Sequence, residues 1–218
     1  MSKVIRNLCI SLAVLLVIFC YVQWNHFGQK EELREDGLLY FKEQDYAKTI
    51  QYMERAQNIS CLFASKIDED MESYEAESYY QLKEYGKALE LFGNLVDDHP
   101  KTDRFYMRKG QCYQGQKRYS KAIKTYQKGW EKTKEGVFLD KICDIYLSRD
   151  NYKTALKYVK QGAKEQGQLG QKFAFKTIVV YEYAENYDKA YQAAKVYCKK
   201  YPKDAKGSKE LQFLESRI

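Results

Sequence analysis

Apolar residues follow two different rhythms along this chain. From Leu8 to Trp24 they run almost unbroken, with Leu8, Ile10, Leu12, Val14, Leu15, Leu16, Val17, Ile18 and Phe19 in close succession. Seventeen helical residues rising 1.5 Å each reach roughly 26 Å, close to the thinner end of a bilayer core. Beyond residue 28 the apolar positions return at intervals of 3 and 4, which draws a stripe along one face of a helix. That stripe recurs five times. Tyr46, Tyr85, Tyr119, Tyr152 and Tyr187 mark the copies, 39, 34, 33 and 35 residues apart. Three residues after each comes Thr49, Ala88, Ala122, Ala155 or Ala190. Four later stands Met53, Phe92, Tyr126, Val159 or Ala194, and three beyond that Ala56, Leu95, Gly129, Gly162 or Tyr197.

A second stripe precedes each reference tyrosine. Another tyrosine lies six residues upstream, at Tyr40, Tyr79, Tyr113, Tyr146 and Tyr181. A compact residue lies nine upstream, at Gly37, Ala76, Gly110, Cys143 and Ile178. Positions three apart share a helical face, so the pattern predicts a helix A and a helix B that close on each other in every copy. The two prolines, Pro100 and Pro202, each fall fifteen residues after a reference tyrosine, where proline ends helix B. The long first interval predicts about five extra residues near Cys61–Asp68, in a lengthened helix end. Leu211, Leu214 and Ile218 stand at helical spacing after the last copy, as in a helix that caps an open array.

A period near 34 with these residue types marks stacked helical hairpins. The arrangement resembles the tetratricopeptide repeat (TPR) family. Tyr79, Ala88, Phe92 and Pro100 match its pattern best, together with Gly110, Tyr113, Ala122 and Tyr126. The resemblance covers roughly residues 30–203, with repeats one and five degenerate. It implies an all-α, TPR-type α-solenoid of about five hairpins at 28–203, with repeats at 30–63, 69–102, 103–136, 136–169 and 171–203. A capping helix at 204–218 follows, and an anchor segment at 1–27 precedes. It also implies a protein or peptide ligand held in a groove formed mainly by the A helices. Groove positions by resemblance are Arg34, Leu38, Phe41, Tyr80, Arg104, Met107, Arg108, Gln111, Phe175 and Tyr183. Arg104 and Arg108 stand where some members grip chaperone carboxylate tails, but Leu38 and Glu77 replace the asparagines of that set.

The apolar run reads as a retained transmembrane anchor. Tyr21 and Trp24 suit its far interface, where amphipathic rings are favoured. A cleaved signal peptide is an alternative, although Val17, Phe19, Cys20 and Tyr21 lack the small residues of a cleavage site. Lipidation at Cys20 fits less well still, after Val17, Ile18 and Phe19. Lys3, Arg6 and the α-amino group precede the run, so the positive-inside rule puts the N-terminus in the cytoplasm and the repeats outside it. Only Asn25–Gln29 separates anchor from repeats, too short for a long tether.

Charge adds a second theme. The net +7 hides an uneven split, with 9 Lys/Arg against 17 Asp/Glu in residues 28–102 and 26 against 13 in 103–218. The basic half is read first as solvated helix faces, with an anionic lipid or wall polymer as an alternative partner; nucleic acid is disfavoured, because packing already explains the tyrosines.

Catalytic chemistry is not advertised. His26 and His99 are the only histidines, far apart and without metal-ligand spacing. The run Gly110 to Lys117 only shadows a phosphate loop, since Gln116 stands where lysine is required. No Cys-x-x-Cys pair occurs among the six cysteines, which read as free thiols; Cys112 and Cys143 fall at or beside packing positions. Asn58-Ile59-Ser60 is a lone glycosylation sequon. The expectation is a non-enzymatic, membrane-anchored adaptor without cofactor or metal, engaged in secretion or envelope assembly and open to homo-oligomerisation. A structural or self-associating envelope protein is the alternative.

Overall fold

Each of the five reference tyrosines is the first residue of a helix. The structure, a computed structural model, describes residues 3–62 and 64–218, and among these it is helical throughout, with no strand. The helices are α1 (Lys3–Lys42), α2 (Tyr46–Gln57), α3 (Ser65–Gln81), α4 (Tyr85–Asp98), α5 (Asp103–Gly115), α6 (Tyr119–Thr133), α7 (Val137–Leu147), α8 (Tyr152–Gly162), α9 (Gly167–Tyr183), α10 (Tyr187–Lys200) and α11 (Ala205–Glu215). The chain divides into two compact units, residues 1–99 and 100–218. In the first, α1 packs on α2, α2 on α3 and α3 on α4. In the second, α5 to α11 pack in serial order, each on the next.

The B-helix stripe is the core. Thr49, Ala88, Ala122, Ala155 and Ala190 are wholly buried, as are Met53, Tyr126, Val159 and Ala194, with Phe92 nearly so. Burying one such large side chain is worth about 1.5–3 kcal/mol. Gly110 shows why the A helix carries compact residues. A Cβ there would collide with the Tyr126 ring from the paired helix α6.

The turns between A and B helices share one geometry that the sequence does not announce. The residue two before each reference tyrosine is left-handed: Gln44 (φ 62°), Lys83 (62°), Lys117 (59°), Asp150 (56°) and Glu185 (54°). The next amide donates to the carbonyl of the upstream tyrosine, as in Asp45 to Tyr40 and Asn186 to Tyr181, both 2.9 Å. This is the six-to-one bond that ends a helix with its carbonyls satisfied. Asp45, Asn151 and Asn186 then cap the B helix by accepting from Lys48, Thr154 and Lys189 amides at 3.2, 3.1 and 3.2 Å.

Three expectations change in detail. Helical backbone runs without a break through 25–29, joining the apolar run and the first A helix in one element of about 60 Å. The extra residues before the second hairpin go partly into an early start of α3 and partly into the connector; Phe63, also the last residue of the first expected repeat, lies outside the described residues. In the last helix Leu214 is buried, but Ile218 is 58% exposed, because α11 stops at Glu215. The α-amino group and the Lys3 side chain, used for orientation, lie outside the described part.

Candidate functional site

The expected groove residues come from A helices, and the two units are best taken in turn. In the first unit Arg34, Leu38 and Phe41 share one face of α1, spaced 4 and 3 apart. Arg34 Nε donates to Asp70 on α3 at 2.7 Å. One turn earlier Lys30, only 3% exposed, pairs with Asp68. Phe41 meets Tyr74 edge-on at 5.0 Å between ring centres, and Tyr80 lies 6.0 Å from Tyr85. Phe41 and Tyr80 keep partial exposure. Leu38 is also half-buried, and it packs against the buried Met53, Ala56 and Met71, where an apolar branch gains more from the core than from water.

In the second unit Arg104, Met107, Arg108 and Gln111 line one face of α5. Arg104 is exposed with its guanidinium 4.6 Å from the Phe105 ring centre, and Arg108 donates to Gln111 Oε1 at 3.0 Å. On α9 Tyr183 is 60% exposed. Phe175 is 9% exposed, packs on Tyr197 at 5.4 Å, and lies under the Lys206 ammonium at 4.1 Å. The α11 cap covers it, which periodicity within α9 alone does not reveal.

Sequence reasoning missed a charged cluster on the same A-helix side. Asp140 on α7 is 4% exposed and accepts from Lys172 at 2.6 Å and from Lys176, both on α9; Lys176 also bonds Asp144. Burial pushes the Asp140 carboxyl up, but the two ammonium donors more than reverse this and hold it below the ordinary aspartate value. The signal was an acid and a base 32 to 36 residues apart, about one repeat, and the same relation joins Arg34 to Asp70.

A hollow of about 450 Å³ opens along α9 and α10, lined by Ala174, Thr177, Tyr181, Ala193, Val196 and Tyr201 among others. None of the expected groove residues lines it. Burial pushes the Cys143 thiol up to about 12, which makes it a packing residue and a poor nucleophile. None of the six cysteines is in a disulfide. Among the described residues no group of three or more His, Cys, Asp or Glu is placed to hold a metal.

At the other end of the first unit, the N-terminal half of α1 is bare. Among the described residues α1 is the one helix long and apolar enough to cross a membrane, with mean hydropathy 2.3 over its most apolar window and none of that window buried. A signal sequence has the same character.

Comparison with known proteins agrees with the hairpin geometry. Residues 75–132 match the family model described as tetratricopeptide repeat. No curated protein sequence matches the chain. A tetratricopeptide repeat protein from Parabacteroides merdae superposes with a TM-score of 0.63 at 15% identity, over 86% of this chain and 72% of that one. The C-terminal part of a TPR repeat-containing protein from Cytophaga hutchinsonii gives 0.64 at 17% identity, over 83% and 69%. MamA from Desulfovibrio magneticus gives 0.53 at 19% identity, over 61% and 72%. At these identities the likeness is one of fold.

Proposed function

The chain is a tetratricopeptide repeat protein, all-α, by its matched segment and its fold, and on that premise we propose that it is a membrane-anchored, non-enzymatic adaptor. Its α1 enters the bilayer from a cytoplasmic N-terminus, and its repeats bind a protein or peptide at the extracytoplasmic face, in secretion or envelope assembly. The observation that supports this best is the join within α1. Its first half is apolar and bare, and its second half packs as the A helix of the first hairpin. Such a chain holds its first hairpin at a fixed distance from a lipid surface.

The A-helix residues with exposed or half-buried side chains carry the binding: Arg34, Phe41 and Tyr80 in the first unit, and Arg104, Met107, Arg108, Gln111 and Tyr183 in the second. Leu38, half-buried, and Phe175 also pack against the cores of their units. The Tyr80→Ala, Arg104→Ala double variant is the test. Crosslinking in membranes should lose partners captured by the parent chain; an unchanged set would refute recognition by these faces. An impermeant thiol reagent should label Lys206→Cys in intact cells above the parent chain, and absence of labelling would refute the outward topology.

A second reading rests on charge. Residues 100–218 hold 27 Lys/Arg against 13 Asp/Glu. This favours docking of the second unit on an anionic lipid or envelope polymer in a structural role. Binding of that kind weakens steeply with salt, whereas binding through Phe41, Tyr80 and Tyr183 persists.

A further inference from the structure

The connector between α2 and α3 returns to α1 just where its apolar run ends. Gln23 Oε1 accepts from the Leu62 amide at 2.9 Å, and His26 Nδ1 donates to the Ser60 carbonyl at 2.9 Å. The Cys61 thiol lies 3.8 Å from the Gln23 carbonyl. These contacts pin residues 60–62 against the helix between Val22 and Phe27. At the same level of α1, on other faces of the helix, stand Tyr21 and Trp24, 72% and 80% exposed. Leu62 itself is 69% exposed.

One exposed leucine on a soluble surface needs no explanation. This one is held at the level of two bare aromatic rings, beside a helix that is bare and apolar up to that point. Two polar backbone groups of the connector are also provided for. The Leu62 amide and the Ser60 carbonyl both bond to side chains of α1, so neither has to keep a water partner. Such bonding favours backbone that lies against a bilayer, where an unsatisfied group is costly.

Resting on the membrane reading above, we infer that the 60–62 connector is a second membrane contact: Leu62 seats in the interfacial layer of the bilayer that α1 enters. Tyr21 and Trp24 belong to that layer as well, as amphipathic rings do. The first unit then stands on the lipid at two points. A hairpin held by one helix could tilt and rotate at its exit, whereas a second point fixes which face of the hairpin looks away from the surface.

The test uses tryptophan emission in liposomes of phosphatidylcholine brominated near the glycerol end of its acyl chains. The full chain carries two tryptophans, Trp24 and Trp130. In the Trp130→Phe chain, Trp24 reports the anchor. In the Trp24→Phe, Trp130→Phe, Leu62→Trp chain, the residue-62 ring reports the connector. Loss of emission with a blue shift in both chains supports the inference. Quenching of Trp24 without quenching at position 62 overturns it and leaves the anchor intact. No quenching of Trp24 removes the membrane reading and this inference together.

Discussion

Gly110 lies against the ring of Tyr126 so closely that no side-chain carbon fits between them. The A and B helices of that hairpin meet backbone to ring, and the contact is set by what Gly110 lacks. Gly110→Ala should therefore destabilise the second unit by about 1–3 kcal/mol, because the ring has to shift within a packed core. Gly86, in the first turn of α4, has nothing within 4 Å of its absent Cβ. Gly86→Ala should be neutral or stabilising by up to about 1 kcal/mol through helix propensity. Urea unfolding of the two variants separates packing from propensity.

The left-handed residues in the A–B turns define a second experiment. Lys83 and Lys117 adopt φ near 60° with a side chain attached, a conformation that costs about 1–2 kcal/mol outside glycine. Lys83→Gly and Lys117→Gly each relieve that strain while loosening the unfolded chain, so a net gain of up to about 1 kcal/mol is expected. A lower melting temperature for both would show that these lysines make compensating contacts.

Asp140 joins α7 to α9 through two lysines. Asp140→Ala leaves Lys176, 15% exposed, with Asp144 alone. The expected loss is about 1–3 kcal/mol, less than for a fully buried pair because Lys172 is 56% exposed. The carboxyl is held below its ordinary value, so its stabilisation is complete above the normal aspartate range. It is lost as pH falls through the lowered folded-state value. Acid unfolding of Asp140→Ala should accordingly be shallower than that of the parent chain.

Glu182 on α9 has the opposite sign. Burial, then a hydrogen bond and repulsion from Glu210 on α11, push its carboxyl up to about 7. A raised acid stabilises the fold while protonated. Its contribution is full below about 4.5 and is lost as pH rises towards 7. The α9–α11 contact should loosen between those values. Amide exchange in α11, corrected for the intrinsic pH dependence, should quicken from pH 5 to pH 8 in the parent chain, somewhat less in Glu210→Gln, where burial of Glu182 remains, and least in Glu182→Gln. An equal change in all three would reject the coupling.

Much of the hairpin architecture was legible in the chain itself. The stripe from Thr49 to Ala56 and its four later copies is buried almost without exception, because those positions face the paired helix and little else competes for them. Turn chemistry was less legible. Gln44, Lys83, Lys117, Asp150 and Glu185 are ordinary residues in a conformation that usually selects glycine or asparagine, so only their place between two packed helices explains it. The surroundings of Phe175 and Leu38 were hidden for a related reason. Their A-helix positions suggest a groove, and the structure adds that Lys206 of α11 lies over one ring and that the other side chain packs on Met53 and Met71.

The sequence alone determined the period, the pairing of helices and the bare apolar half of α1, since each depends on residue types spaced along one element. Tertiary structure decided which charges meet across repeats, as with Asp140 and Lys176, and where the 60–62 connector comes to rest. Those contacts join residues about one repeat apart or more. Their energies depend on distance and burial, which are fixed only once the helices have packed.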